Sequence, residues 1–527
     1  MIDFVKISIF VLTTSGFDDM TGNFSEERYE EMLRKLFVRF PSFQKVGAGA
    51  YKPGIANMEF ADQLMGHPHR NYKIIHVAGT NGKGSVSNML ASALASAGYR
   101  VGLYTSPHIL DFRERMRVVE ISPRAALGRN DTGQYVISSE TEGRVEKSLY
   151  RYISKQEVWD FILNWQDTFD HLDMSFFEIT TLMALNWFSL QEVDYVVLET
   201  GLGGRLDSTN IVTPILSIIT NIGLDHCDLL GETLPEVAFE KAGIIKPLVP
   251  VVVGESHPET DAVFERKVLY TNLPEPLFMG SRTAVMSLLT FADKMVPELW
   301  DQHEDILREM DLKGDYQKKN LRTVLAAIGV LAQAGHAFAG EPWQIPTSES
   351  ESATVLQENC ARCLRDAIVN TASRTGFSGR WQKISDNPYT ICDIGHNEHG
   401  LKYNFAQLSK MKGSGEVTDL IIVYGSVADK DVDAVMHLMP ESAVYVFTQA
   451  HGKRALSAEV VVEKYLNHCS ETGKSLCQIH CIPDVREARA FAEGLASSIV
   501  EADPEARPLI YIGGSTYVVS EALADRI

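Results

Sequence analysis

The segment KIIHVAGTNGKGSVSNMLASAL, residues 73–94, holds the side chains best suited to do chemistry. Three glycines, Gly79, Gly82 and Gly84, lie between a β-branched apolar run and a run of helix length. Glycines let backbone N–H groups close around a phosphate, and a helix N-terminus adds positive potential. Lys83 supplies a point charge for the β- and γ-phosphates of a nucleotide. With Thr80, Asn81 and Ser85 this loop reads as a nucleotide site. Its spacing departs from GxxxxGK[ST], because two residues separate Gly79 from Gly82 and Gly84 stands between Lys83 and Ser85. A strand in front and a helix behind argue against a plain tight turn.

Three later segments carry polar side chains to strand ends. LYTSPHILDFRERMRV ends a strand at Thr105 and Ser106 and continues into an Arg-rich turn with Arg113 and Arg115, for which a cap on a solvated helix is the bland reading. DYVVLETGLGGRLDSTN brings out Glu199 ahead of Gly201, Gly203 and Gly204, which permit close approach of a ligand. A carboxylate there suits magnesium, which takes one or two carboxylates with phosphate oxygens. ITNIGLDH repeats the geometry with Asp225 and His226, the latter a candidate metal ligand or phosphate contact.

The elements that position these residues are legible as an alternation. KIIHVAG, VGLYTS, DYVVLETG, ILSIITNIG and VPVVVGE are strand-length runs separated by helical patterns. That order predicts an α/β fold with a mostly parallel sheet covered on both faces. Residues 26–40 read as a capped amphipathic helix, and 120–150 as an insertion. A second alternation, YTICDIG, DLIIVYGS, AVYVFTQA and PLIYIGG, predicts a smaller α/β domain. The expected divisions are an extension over 1–25, an ATPase domain over 26–340, a linker and connecting helix over 341–376, and a second domain over 377–527.

Length and composition bound the answer. At roughly 150 residues per domain, 527 residues make two to four domains. The formal charge of −20 disfavours a nucleic-acid partner. No apolar stretch reaches the ~18 residues of a membrane helix. Seven cysteines point to reduced thiols in a cytoplasm. Cys360 and Cys363 form a CxxC without a second pair, so zinc or redox chemistry is not expected there.

GTNGKGS, YTSPH, ETGLGGRLDSTN, ITNIGLDH, EKAGIIK, GDYQKKN, SGRW, DIGHN and GGSTYVVSE, in that order, resemble the folylpolyglutamate synthase and dihydrofolate synthase family of the Mur ligase superfamily. The resemblance implies a P-loop ATPase domain, a Rossmann-like C-terminal glutamate-ligase domain, and catalysis in the cleft between them. It implies ATP-dependent joining of L-glutamate to dihydropteroate or tetrahydrofolate polyglutamates, with both reactions in one protein of bacterial type. Gly79 to Ser85 match the triphosphate loop. Ser106, Glu199 and His226 match positions holding two Mg2+ ions. Lys241 matches a carbamylated lysine, and the bland alternative is a surface pair with Glu240.

Asn320, Arg380 and Asp393 match contacts to adenine, ribose and phosphate. His396 and Ser515 match the region receiving glutamate, while Arg113, Arg115 and Asp207 lie where the family binds its pterin. DIGHNEHG replaces the commoner DGAHNP, so proline is lost after Asn397. A monomer working on small molecules is expected, and the motifs leave a K+ requirement open. HGKRALSAE, residues 451–459, is a basic cluster that either starts a solvated helix or attracts glutamate or ATP. A cell-wall Mur ligase is the rival enzyme, but about 70 residues before the phosphate loop are too few for a UDP-sugar domain. A P-loop regulatory ATPase would not need DIGHN and GGSTY.

Overall fold

The computed structural model describes residues 23–40, 47–50, 52, 54–120, 128–129, 135–136, 149–272, 283, 285–294, 304–338 and 355–524. The extension over 1–22, most of the insertion and the segment 339–354 lie outside the described residues. Within the insertion a short antiparallel ladder pairs Gly128 with Val136 and Arg129 with Tyr135.

The first sheet contains β1 (Lys73–Ala78), β2 (Val101–Tyr104), β3 (Met116–Val119), β4 (Tyr150–Tyr152), β5 (Tyr195–Glu199), β6 (Leu216–Ile219), β7 (Val251–Val253) and β8 (Leu289–Phe291), in the order β8-β7-β6-β1-β5-β2-β3-β4. All pairings from β8 through β2 are parallel, while β3 and β4 join antiparallel at one edge. Alternate side chains enter opposite faces, as the pleat requires. Val197 packs with the helix Lys83–Ser96, and Val196 and Leu198 pack with the helix Phe176–Leu190. The first helix, Glu26–Arg39, starts where the Ser25 hydroxyl accepts from Arg28 N, and it buries Tyr29, Met32 and Leu36 on the second face.

The Arg-rich turn is the main local departure from the sequence reading. Its continuation is strand β3, and Arg115 and Arg117 are buried instead of solvated. Arg117 donates to Thr375 O at 2.7 Å and Thr105 Oγ1 at 2.8 Å, partners distant in sequence that substitute for water.

The helix Val355–Val369, expected as a connector, packs onto the first domain. Leu364 and Ile368 join its core, and Ser92 Oγ donates to Ala367 O at 2.7 Å. The second sheet contains β9 (Gln382–Asp386), β10 (Tyr389–Asp393), β11 (Asp419–Tyr424), β12 (Val444–Phe447), β13 (Gln478–Cys481) and β14 (Pro508–Gly513), in the order β9-β10-β14-β11-β12-β13. Only β9 is antiparallel, and apolar cores cover both faces. The carboxyl ends of the two parallel sheets meet at the cleft where the motifs converge, the usual place for a ligand in such folds.

Candidate active site

β1 runs straight into the phosphate loop, whose path only glycine can follow. Gly79 has φ +151°, and a Cβ there would lie 1.8 Å from Thr220 Oγ1. Gly82 has φ +81°, and its Cβ would lie 2.3 Å from Asn320 Oδ1. The loop is braced from the next strand end: Thr80 Oγ1 donates to Gly223 O, and Asn81 N donates to Asn221 Oδ1 at 3.0 Å. Lys83 Nζ folds back on the same loop, donating to Gly79 O at 2.9 Å and Thr80 O at 3.2 Å. Ser85 is buried and accepts from Gln317, whose own amide oxygen accepts from Asn320. Thr80 to Ser85, Glu199, Asn320, Arg380 and Asp393 all border one cavity.

A second, larger cavity opens on the other side of Ser106, Pro107 and His396, which line both. Its walls include Phe176, Phe177, Leu202, Leu206 and Tyr517, with Lys52, Arg115, Lys430 and Arg454 against the single carboxylate of Asp207. Lys52, Lys430 and Arg454 pair with Asp173, Asp225 and Asp429, and with Arg115 they give the apolar chamber a cationic edge that suits an apolar ligand carrying carboxylates.

Where the two cavities meet, the donor set fits a divalent cation. Glu199 is 2% exposed, and its Oε2 has no hydrogen-bond partner. Burial pushes its carboxyl up to about 7, against the pull of Lys83 and Arg380. Burial drives the His226 imidazole down to about 3, so it is neutral and can offer a lone pair. Ser106 adds a hydroxyl, and its backbone N–H bonds Glu199. Among the described residues no group of three or more His, Cys, Asp or Glu side chains is arranged to hold a metal ion by itself, so the protein supplies a partial shell that phosphate oxygens can complete.

Lys241 ends the helix Leu234–Lys241 and is 3% exposed, with Nζ donating to Gly79 O at 3.0 Å. Burial, then the charge of Lys83, pull its ammonium down to about 7. Glu240 pairs with Arg205 instead, which removes the surface-pair reading.

Residues 379–499 match the Mur ligase, glutamate ligase domain. A Bacillus subtilis dihydrofolate synthase/folylpolyglutamate synthase is 30% identical over 385 residues, covering 72% of this chain and 76% of the relative. A Lacticaseibacillus casei folylpolyglutamate synthase is 30% identical over 396 residues, covering 74% and 80%. The structure of E. coli FolC in complex with DHPP and ADP superposes with a TM-score of 0.64 at 22% identity, covering 94% of this chain and 97% of that one. The chain belongs to the folylpolyglutamate synthase/dihydrofolate synthase family.

Against the positions expected from that family, the structure brings most residues together and sets a few aside. Arg113 reaches neither cavity, because its Nε and terminal nitrogen bind the carboxylate of Asp111 two residues earlier. Arg115 lines the larger cavity, its Nε donating to His108 Nδ1 at 2.9 Å. Asp207 borders the same cavity, yet it accepts from Leu202 N, Thr209 N and Thr209 Oγ1 and so organises its own turn. Asp393 borders the nucleotide cavity and accepts from Trp381 N, Tyr316 Oη, Gly395 N and Asn404 Nδ2, which ties the two domains together across the cleft. Arg380 stacks on Phe377, with its guanidinium carbon 5.1 Å from the ring centre. Ser515 N-caps the last helix, Thr516–Leu523, while lining the larger cavity beside Arg454. Lys52, Phe177 and Lys430 were not singled out from the sequence as site residues. They come from separate segments, and nothing local marks them.

Proposed function

We propose that this family member uses ATP to join L-glutamate, through its amine, to a carboxylate of dihydropteroate or of a tetrahydrofolate (poly)glutamate. The observation that carries the reading is the pair of cavities: a glycine-wrapped phosphate loop on one side, a cation-lined apolar chamber on the other, with Ser106 and His396 common to both. A γ-phosphate held by the loop then faces a carboxylate held in the chamber. The E. coli relative was captured with DHPP and ADP, a ligand pair of the kind two such chambers would take.

The pterin-side carboxylate attacks the γ-phosphorus, releasing ADP and leaving an acyl phosphate. The glutamate amine attacks the acyl carbon, phosphate departs with the former carboxylate oxygen, and the amine sheds a proton. Lys83 turns from its loop carbonyls toward the phosphate oxygens and offsets the charge that spreads over them. Ser106, Glu199 and His226 would hold divalent cations, magnesium being the expected metal and two ions the expected number. Bound there, the metal withdraws charge from phosphate oxygens. His396 stands at the junction with Nε2 3.6 Å from Asp225 Oδ2, placed to receive the amine's proton. Asn320 and Arg380 flank the nucleotide from the two domains, Arg115 meets the pterin-side anion, and Ser515 lies on the glutamate side. The apolar walls exclude water that would hydrolyse the acyl phosphate.

The test is incorporation of labelled glutamate with dihydropteroate and tetrahydrofolate in parallel. Both should be extended, each strictly requiring ATP. Extension of tetrahydrofolate alone would reduce the enzyme to polyglutamylation, and extension of neither would overturn the reading.

A further inference from the structure

The wall between the two cavities contains two residues that line neither of them. Asp225, from the loop after β6 in the first domain, and Asn397, from the loop after β10 in the second, meet there. Asn397 is 7% exposed, and its side-chain amide is fully engaged. Its Nδ2 donates to Asp225 Oδ2 at 2.9 Å and to Asn81 Oδ1 at 3.1 Å. Its Oδ1 accepts from Asn81 Nδ2 at 3.3 Å and from Gly400 N at 2.8 Å. One amide thus ties the phosphate loop, the Asp225 carboxylate and the start of the helix Glu398–Gly413 together.

Asp225 extends the connection into the other cavity. Its Oδ1 pairs with Lys430 Nζ of the second domain and accepts from His226 N, while Oδ2 faces His396 Nε2. Lys430 and His396 both line the chamber assigned to the carboxylate substrate and glutamate. The side chains of Asp225 and Lys430 are each 10% exposed, so neither exchanges its partner for water without the domains parting. A shift of Asn81 around a triphosphate therefore reaches Lys430 and His396 through two intermediates, each held by geometry and, at Asp225, by charge.

We propose that Asn397 and Asp225 are positioning residues that couple nucleotide occupancy of the phosphate loop to the closed arrangement of the glutamate-side wall. Such coupling is reciprocal: whatever factor ATP contributes to glutamate affinity, glutamate contributes to ATP affinity, and factors of about 5 to 150 are typical. The identity of the second ligand rests on the ligase reading, whereas the wiring does not.

Two measurements test it. The KM for glutamate is taken at ATP concentrations well below and well above saturation in the wild type, Asn397→Ala, Asp225→Asn, Lys430→Met and Lys430→Arg. The wild type should show a fall of about 5-fold or more. Asn397→Ala and Asp225→Asn should bring the ratio close to 1 at a temperature where both variants are still folded, each with a lowered melting temperature because buried partners lose their hydrogen bonds, and Lys430→Arg should retain a ratio that Lys430→Met loses. In parallel, calorimetry of Mg-AMPPNP binding should show weaker affinity in Asn397→Ala and Asp225→Asn, by about the same factor when glutamate is present. A wild-type ratio near 1, or wild-type ratios in both Asn397→Ala and Asp225→Asn, would overturn the coupling. If the wild type incorporates no glutamate, the ligase reading fails. The wiring is then judged by calorimetry alone, and unchanged AMPPNP affinity in both variants overturns it.

Discussion

Lys83 is a residue whose importance to folding and to chemistry can be separated. Its ammonium donates only to carbonyls of its own loop and borders the nucleotide cavity, so truncation removes no core packing. Lys83→Ala should lower kcat/KM by about 10²- to 10³-fold, the usual loss when one preorganised charge donor is removed. Its melting temperature should stay within a few degrees, checked by calorimetry. Glu199 gives a pH signature. With its midpoint raised from 4.5 to about 7, the native state holds a proton across that window that the unfolded chain has lost. Metal-free stability should therefore fall as pH rises through the window. The same proton competes with a cation, so half-saturating Mg2+ should increase as pH drops below about 7, measured by titrating activity at fixed ATP. Lys241 is the third case. A buried amine with its midpoint lowered to about 7 has a substantial neutral fraction at physiological pH, and that fraction can take up carbon dioxide to become a carbamate of charge about −1 with release of a proton. Lys241→Ala should be nearly inactive and partly restored by short carboxylates, and wild-type activity should rise with bicarbonate after carbon dioxide is stripped. Full activity of Lys241→Ala would end that proposal.

Among the elements, the strand-loop-helix from Lys73 to Ser96 was the most legible, because its glycines answer to steric demands the sequence displays. Gly82→Ala should test this directly. The new methyl meets Asn320 Oδ1 at 2.3 Å on a backbone with φ +81°, and should cost about 1–3 kcal/mol of stability together with nucleotide affinity. Gly98, at φ +89° with nothing within 4 Å, is the control: it should lose about 1 kcal/mol and no affinity, read by denaturant melts and AMPPNP binding. Strand β3 was missed for a physical reason. MRVV is short and follows two arginines, and its burial depends on acceptors such as Thr375 O that lie more than 250 residues away. Arg113 and Arg115 show the limit of spacing as a guide: two residues apart, one closes on Asp111 and the other lines the chamber. The family resemblance could place the region but not choose between them.

For the whole molecule, the two α/β domains were readable because each repeats strand and helix with buried β-branched runs, whereas the cleft was not. Its larger chamber is assembled from Lys52, Arg115, Phe177 and Leu206 of the first domain and Lys430 and Tyr517 of the second, side chains from separate segments that only tertiary folding and domain contact bring together. Among the described residues no helix is long and apolar enough to cross a membrane. In the proposed reaction the nucleotide cavity and the cation-lined chamber act on one another's ligands through an acyl phosphate. This is tested by supplying the pterin substrate with 18O in its reacting carboxylate, together with ATP and L-glutamate, and measuring the label in products. Each phosphate released should carry one 18O from the carboxylate, in step with amide formation. Unlabelled phosphate accompanying amide formation would contradict it.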